Sequence, residues 1–224
     1  MGVGGAHPGG LNLTKEIFYS EKISRASRIL DVGCGTGQTA AYLAAHYGAK
    51  VTAMDINPIM IEKAKSRMMQ YQLPVEVIRG SIEDFPLKDG TFDFILSESV
   101  LSFVNKPRAL KEIFRLLKSG GRFIANELTT NNKLLSSNEE EIKQFYGLDS
   151  VLSETDWVDL LEQSGFKNIK ALIQKSSMLQ NDSTPEFQHS EYMDPGLYTV
   201  MIQHLNILVK YQGILDNRIF LCTR

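Results

Sequence analysis

The chain has 224 residues, 43% of them hydrophobic and 22% charged, enough to bury one good core. Its 24 Lys and Arg nearly balance 26 Asp and Glu, for a formal net charge of -2, so no broad cationic surface marks nucleic acid or an anionic membrane as the main partner. The two cysteines, Cys34 and Cys222, form neither a disulfide framework nor a metal-ligand spacing; no metal site is expected, and the chain reads as cytoplasmic.

Residues 1–13 hold five of the 17 glycines together with Pro8 and are expected to form an irregular arm, whose His7-Pro8-Gly9-Gly10 can fold over a ligand. The first residues lack the basic and apolar regions of a signal peptide, and no apolar run approaches the roughly 18 residues of a membrane span. Residues 14–23 read as a short helix. The stretch 28–38 then joins a buried strand (Ile29, Leu30, Val32) to a helix over 38–47 through Gly33, Gly35 and Gly37, and Gly48 ends that helix. A dinucleotide loop would place its third glycine at position 38, which is Gln in this chain. Gly-x-Gly-x-Gly preceded by Asp31 suits instead a smaller, cationic nucleoside whose amino-acid tail lies over the turn.

A second strand, 50–55, ends in an acid. In a right-handed βαβ unit Asp55 lies beside the glycine turn, where it can accept hydrogen bonds from both hydroxyls of a ribose. Pro58 opens a helix to about residue 70, with Ile59, Met60, Ile61 and Ala64 turned inward. Residues 74–79 and 91–97 are the third and fourth strands. The loop at 80–86 and the group Glu98, Ser99 and Ser102 follow them at the carboxyl edge, where ligands of parallel sheets bind. An amphipathic helix over 106–118 and a fifth strand over 122–128 complete a strict alternation, which argues for an α/β, doubly wound, mostly parallel sheet with helices on both faces.

Residues 129–151 break the alternation with a polar stretch whose run of three acids, Glu139, Glu140 and Glu141, reads as a solvated helix face. Ser153 with Asp156 forms a capping box for a helix that turns Trp157, Leu160 and Leu161 inward and ends at Gly165. A sixth strand covers 167–174, an irregular stretch 175–195, and a long helix 196–212 carries Val200, Met201, Leu205, Leu208 and Tyr211, with the Met201 stripe expected in the core. The last strand is 218–223. One domain over 1–224 is expected: an arm and helix to residue 24, a cofactor-binding core over 25–128, and lid or substrate insertions at 129–153 and 176–212.

Four stretches in this order, Leu30-Asp-Val-Gly-Cys-Gly-Thr-Gly37, the acid Asp55, Phe85-Pro-Leu-Lys-Asp-Gly-Thr-Phe-Asp93 and Arg115-Leu-Leu-Lys-Ser-Gly-Gly121, resemble the class I S-adenosylmethionine-dependent methyltransferases. Among these the chain is most similar to the small type 11 group that includes quinone-biosynthesis-like enzymes, over about residues 25 to 175. The resemblance implies a Rossmann-like sheet of seven strands whose final strand runs antiparallel, and S-adenosylmethionine as cofactor with S-adenosylhomocysteine as its product. Carried over by position, it implies that Gly33, Cys34, Gly35, Thr36 and Gly37 lie against the methionine part, with Asp31 near its ammonium and Asp55 on the ribose. Ile56 and Met60 would pack beside the adenine, Ser81, Ile82 and Glu83 would meet its edge, and Ser97 would complete the cofactor set. Ser81 and Ile82 stand where relatives often have Asp and Ala, which removes one charge-assisted bond.

A reactive methyl on a sulfonium leaves the protein chiefly the work of alignment and water exclusion, with a general base needed only for a nucleophile that begins protonated. His7, Glu98, Glu127 and Tyr146 are the substrate-side candidates. Glu98 and Glu127 as a pair would favour a cationic or amine-bearing acceptor, while Glu127 also reads as a satisfied structural acid and Tyr146 as lid packing. His46, His189 and His204 read as surface or helix-packing residues, and Cys34 as a small filler. A small-molecule acceptor is expected, nucleic acid is not, and the alternative is a non-catalytic cofactor-binding or partner-binding protein of the same fold.

Overall fold

A computed structural model describes residues 8–131, 134, 136–173 and 196–224, the side chains of Leu197, Tyr198 and Met201 excepted. The expectations for His7, Met201 and residues 175–195 lie outside that set. Seven strands form one sheet in the order β3-β2-β1-β4-β5-β7-β6, built from β1 (Arg28–Val32), β2 (Lys50–Asp55), β3 (Glu76–Arg79), β4 (Phe92–Glu98), β5 (Leu117–Thr130), β6 (Lys167–Ile173) and β7 (Leu215–Thr223). The pairings of β1 to β5 are parallel, and β7 runs antiparallel to both β5 and β6. The seven-stranded, mostly parallel sheet with an antiparallel last strand is as expected from the sequence.

Alternation along the strands divides the core between the faces of the sheet. On one face Ile29, Val51, Ala53, Phe94 and Leu96 pack against α1 (Gly10–Tyr19), α2 (Gln38–Tyr47) and Met68 of α3 (Pro58–Gln70). On the other, Leu30, Val32, Ile95 and Phe123 pack against α4 (Lys106–Leu116) and α6 (Glu154–Gln163). A third cluster, Ile142, Leu148, Ile207 and Tyr211, joins α5 (Ser136–Tyr146) to α7 (Gly196–Lys210), with Leu128 and Leu215 beside it.

Several boundaries differ from the sequence reading for identifiable reasons. Helix α1 begins at Gly10 and takes in part of the expected arm, because Leu13, Ile17 and Phe18 share one face that buries against α2. On α3, Ile59 is exposed and Met60 half-buried; the inward face is Ile61, Ala64, Arg67 and Met68, so an arginine completes the stripe. Strand β5 extends to Leu117–Thr130 because β7 pairs with it from Arg122 to Thr130 and Phe92 of β4 pairs with Leu117. The acidic run lies in α5, where Glu141 accepts from the Tyr211 hydroxyl at 2.6 Å and pairs with Lys210 of α7. Tyr211, just past the end of α7, is buried, but Val200, Leu205 and Leu208 on α7 are exposed, against the expected core packing. The Ser153–Asp156 capping box and the buried Trp157 are as read.

Candidate active site

The order of strands places β1 between β2 and β4, with chain direction through the sheet reversing at β1, and the carboxyl ends of β1 to β4 open onto one crevice. The turn after β1 is held from three sides. Gly33, Gly35 and Gly37 all take left-handed φ (68°, 53° and 75°). A Cβ on Gly33 would come within 2.3 Å of Val100 Cγ2, and one on Gly37 within 2.7 Å of Met68 Cε, whereas Gly35 faces open space. The Cys34 N–H donates to the Met54 carbonyl at 2.9 Å, and the Gly35 N–H donates to Asp55 Oδ2 at 2.9 Å. The Asn57 N–H fills the other oxygen, Oδ1, at 2.8 Å, so the Asp55 carboxylate is fixed by backbone at the mouth of the turn. Beneath, the buried Arg67 donates Nε–H to the Thr36 carbonyl at 2.8 Å and ties α3 to the turn. Arg67 lies three residues after Ala64 on the inward stripe of α3, and its residue type is what hides it as a prop in the sequence.

Around this turn lies a cavity of about 470 Å³. Four carboxylates line it, Asp31, Asp55, Glu83 and Glu98, and no Lys, Arg or His does so among the described residues. Asp31 is buried and its Oδ2 has no hydrogen-bond partner. Burial drives the Asp31 carboxyl well above the usual carboxylate range, and the Glu98 and Asp55 charges push the same way. Glu98 accepts from the Thr14 hydroxyl (2.7 Å, Oε1) and the Thr39 hydroxyl (3.0 Å, Oε2), which fix it at the α1–α2 side of the cavity. A concentration of acids with one unfilled buried oxygen calls for a cation. Burial, with Asp31 and Asp55 nearby, also pushes the Cys34 thiol up, so it is no ready nucleophile.

A smaller cavity of about 160 Å³ adjoins the first, sharing Ser99 and Phe103 with it. Leu128, Leu148 and Leu208 contribute its apolar wall, and Tyr146 of α5 meets His204 of α7 across it, Oη to Nδ1, at 2.8 Å.

The protein-family model described as a methyltransferase domain matches residues 30–125. A Bacillus subtilis (strain 168) protein named as the uncharacterized methyltransferase YodH is 36% identical over 221 residues, covering 99% of this chain and 94% of that one. This chain is a class I S-adenosylmethionine-dependent methyltransferase. A malonyl-[acyl-carrier protein] O-methyltransferase from Herminiimonas arsenicoxydans is 32% identical over 147 residues, 65% of this methyltransferase and 54% of that one. Among solved structures, phosphoethanolamine N-methyltransferase 2 of Haemonchus contortus in complex with S-adenosylmethionine superposes with a TM-score of 0.80 at 16% identity, over 97% of this chain and 53% of that one, a likeness of fold.

The methyltransferase uses S-adenosylmethionine as its cofactor. The first cavity fits that molecule in three respects: a glycine turn open at Gly35, an orphaned buried carboxylate oxygen on Asp31, and a wall without positive charge among the described residues. Of the residues expected around it, Asp31, Gly33, Cys34, Gly35, Thr36, Asp55, Ile56, Ser81, Ile82 and Glu83 line the cavity. Gly37 packs under the turn, Met60 is half-buried on α3, and neither is in the wall. Ser97 is fully buried and gives its hydroxyl to Glu127 at 3.0 Å, away from the cavity.

The substrate-side candidates separate. Glu98 belongs to the first cavity and Tyr146 to the second, while Glu127 lines neither. Glu127 is fully buried, and its Oε1 accepts from Ser97 Oγ, Val100 N–H and Leu101 N–H, with Ser102 Oγ on Oε2 at 3.4 Å. The paired acids expected to face a cationic acceptor are therefore not a pair. His204, read from sequence as surface or helix packing, is exposed on α7 and packs on α5 through Tyr146, a partner 58 positions away that its sequence neighbourhood does not signal.

Proposed function

We propose that the first cavity holds S-adenosylmethionine in the manner its walls dictate and that the methyl passes to a small-molecule acceptor in the adjoining space. The observation that carries this reading is the wall of four carboxylates without a basic residue among the described ones, around a glycine turn at the switch point of the sheet. Asp31, with its free Oδ2, would hold the ammonium, and Glu98 would add charge on the same side. Asp55, already oriented by two backbone N–H groups, would accept from the ribose hydroxyls. Ile56 and Ile82 would pack against the base and Ser81 with Glu83 would meet its edge, with Gly35 giving the backbone room to approach. When bound, the cofactor supplies a methyl group activated by its sulfonium. The chain's part is to bind, to align and to keep out water, which the shared Ser99 and Phe103 wall favours by setting the two cavities against each other.

The net charge of -2 and the acidic cavity favour a small molecule over nucleic acid as acceptor. No described helix is long and apolar enough to cross a membrane, which is compatible with a cytoplasmic location. A single domain over 1–224, with α5 and α7 as its acceptor-side elaboration, accords with one sheet that uses both ends of the chain.

Asp55→Ala is expected to weaken S-adenosylhomocysteine binding by about 1–3 kcal/mol through lost charge-assisted hydrogen bonds. Asp31→Asn, which removes the charge and keeps the shape, should weaken S-adenosylmethionine in a similar range. Isothermal titration of both variants measures this, and unchanged affinity in both would remove the acids from the cofactor site.

A further inference from the structure

We propose that the smaller cavity is the acceptor site, and that it takes an uncharged, largely apolar molecule bearing a hydroxyl group whose proton is received by the Tyr146–His204 pair. The inference rests on the reading of the larger cavity as the cofactor site. A molecule in the smaller cavity abuts a ligand in the larger one across Ser99 and Phe103, which line both. Ser99 stands at that junction with a left-handed φ of 60°, unusual for a residue with a side chain, held by its N–H to the Asn126 carbonyl at 2.8 Å.

The chemistry of the walls selects the class of acceptor. Phe103, Leu128, Leu148 and Leu208 are apolar, and no Asp, Glu, Lys or Arg lines the cavity among the described residues. An ammonium entering there would shed water and meet no carboxylate among the described residues; Glu127, the acid nearest in sequence to Leu128, has its oxygens occupied by Ser97, Val100, Leu101 and Ser102. A neutral hydroxyl compound loses little on entry and needs one proton acceptor. His204 and Tyr146, joined at 2.8 Å, provide it. Burial holds the Tyr146 phenol above its ordinary value, so it stays protonated and serves as a relay, with the imidazole as the base. The acceptor oxygen uses a lone pair to form the new carbon–oxygen bond as the methyl–sulfur bond breaks, its electron pair remaining on sulfur. The hydroxyl proton passes to Tyr146 Oη, and the Tyr146 proton passes to His204 Nδ1, leaving an imidazolium that solvent discharges at the exposed rim of α7.

The test uses the full chain saturated with S-adenosylhomocysteine and titrated with 4-ethylphenol and with the cationic 4-ethylbenzylamine. The phenol is expected to bind about tenfold tighter or more. Transfer of labelled methyl to 4-substituted phenols should then be measurable. His204→Ala and Tyr146→Phe should each lower kcat on 4-ethylphenol by about 10²-fold or more, with S-adenosylhomocysteine affinity unchanged. On 4-nitrophenol, which enters as the neutral phenol and gives up its proton more readily, both variants should lose less of the wild-type rate than on 4-ethylphenol. Tighter binding of the amine, no transfer to any phenol by the wild type, or an equal loss on both phenols would overturn the proposal. Failure of S-adenosylhomocysteine itself to bind would instead bring down the cofactor reading and this inference with it.

Discussion

At the scale of single residues, the three glycines of the turn are unequal. Gly33 and Gly37 are walled by Val100 and by Met68 with Ala64, while Gly35 faces open space in the cavity wall. Gly33→Ala should therefore cost stability, about 2–4 kcal/mol from overpacking and left-handed strain together. Gly35→Ala bears only the backbone strain of about 1–2 kcal/mol, and its main effect should be a loss of about tenfold or more in S-adenosylhomocysteine affinity. Thermal unfolding beside titration of each variant separates the two, and a reversed pattern would contradict the orientation of the turn. Asp31 and Asp55 were legible because residue type and spacing in one βαβ unit determine their place. Glu98 was legible as an acid at the carboxyl edge, but the hydroxyls that fix it, from Thr14 and Thr39, and the Tyr146 partner of His204 come from other elements and were not.

Between elements, Glu127 knits β5 to the end of β4 and to the 3₁₀ turn at Leu101–Phe103. Burial lifts its carboxyl from 4.5 to about 7, against the hydrogen bonds that lower it. Between those two values the folded chain keeps a proton that the unfolded chain has released, so the Glu127 contribution to stability falls as pH rises through that window and stays low above it. Glu127→Gln keeps an acceptor for the three donors on Oε1 and should flatten the difference in melting temperature between about pH 5 and about pH 8. Glu127→Ala strands those donors and should cost about 3 kcal/mol or more at either pH. A Gln variant with the wild-type pH slope would show that another group sets it. The helices themselves were unevenly legible. Capping at Ser153 and Gly48 gave local, chemically specific signals, whereas most described side chains of α7 are exposed, among them the apolar Val200, Leu205 and Leu208, so its apolar residues do not mark a buried face.

For the whole molecule, the alternation of strand and helix was readable because a sheet covered on both faces needs continuous apolar strands and punctuated turns. It foretold seven strands and the antiparallel last one through family resemblance, but not that β7 would lengthen β5 or that α1 would start at Gly10. The strand order brings loops from β1, β2, β3 and β4 to one crevice, and the charges those loops carry decide what enters it. An acid-walled cavity without a described basic residue should take a cationic nucleoside and reject a pyrophosphate. Isothermal titration of the wild-type chain with S-adenosylmethionine and with NADH compares the two directly. Saturable S-adenosylmethionine binding in the micromolar range with none for NADH is the predicted result; NADH binding as tightly as S-adenosylmethionine, or neither ligand binding at millimolar concentration, would contradict it.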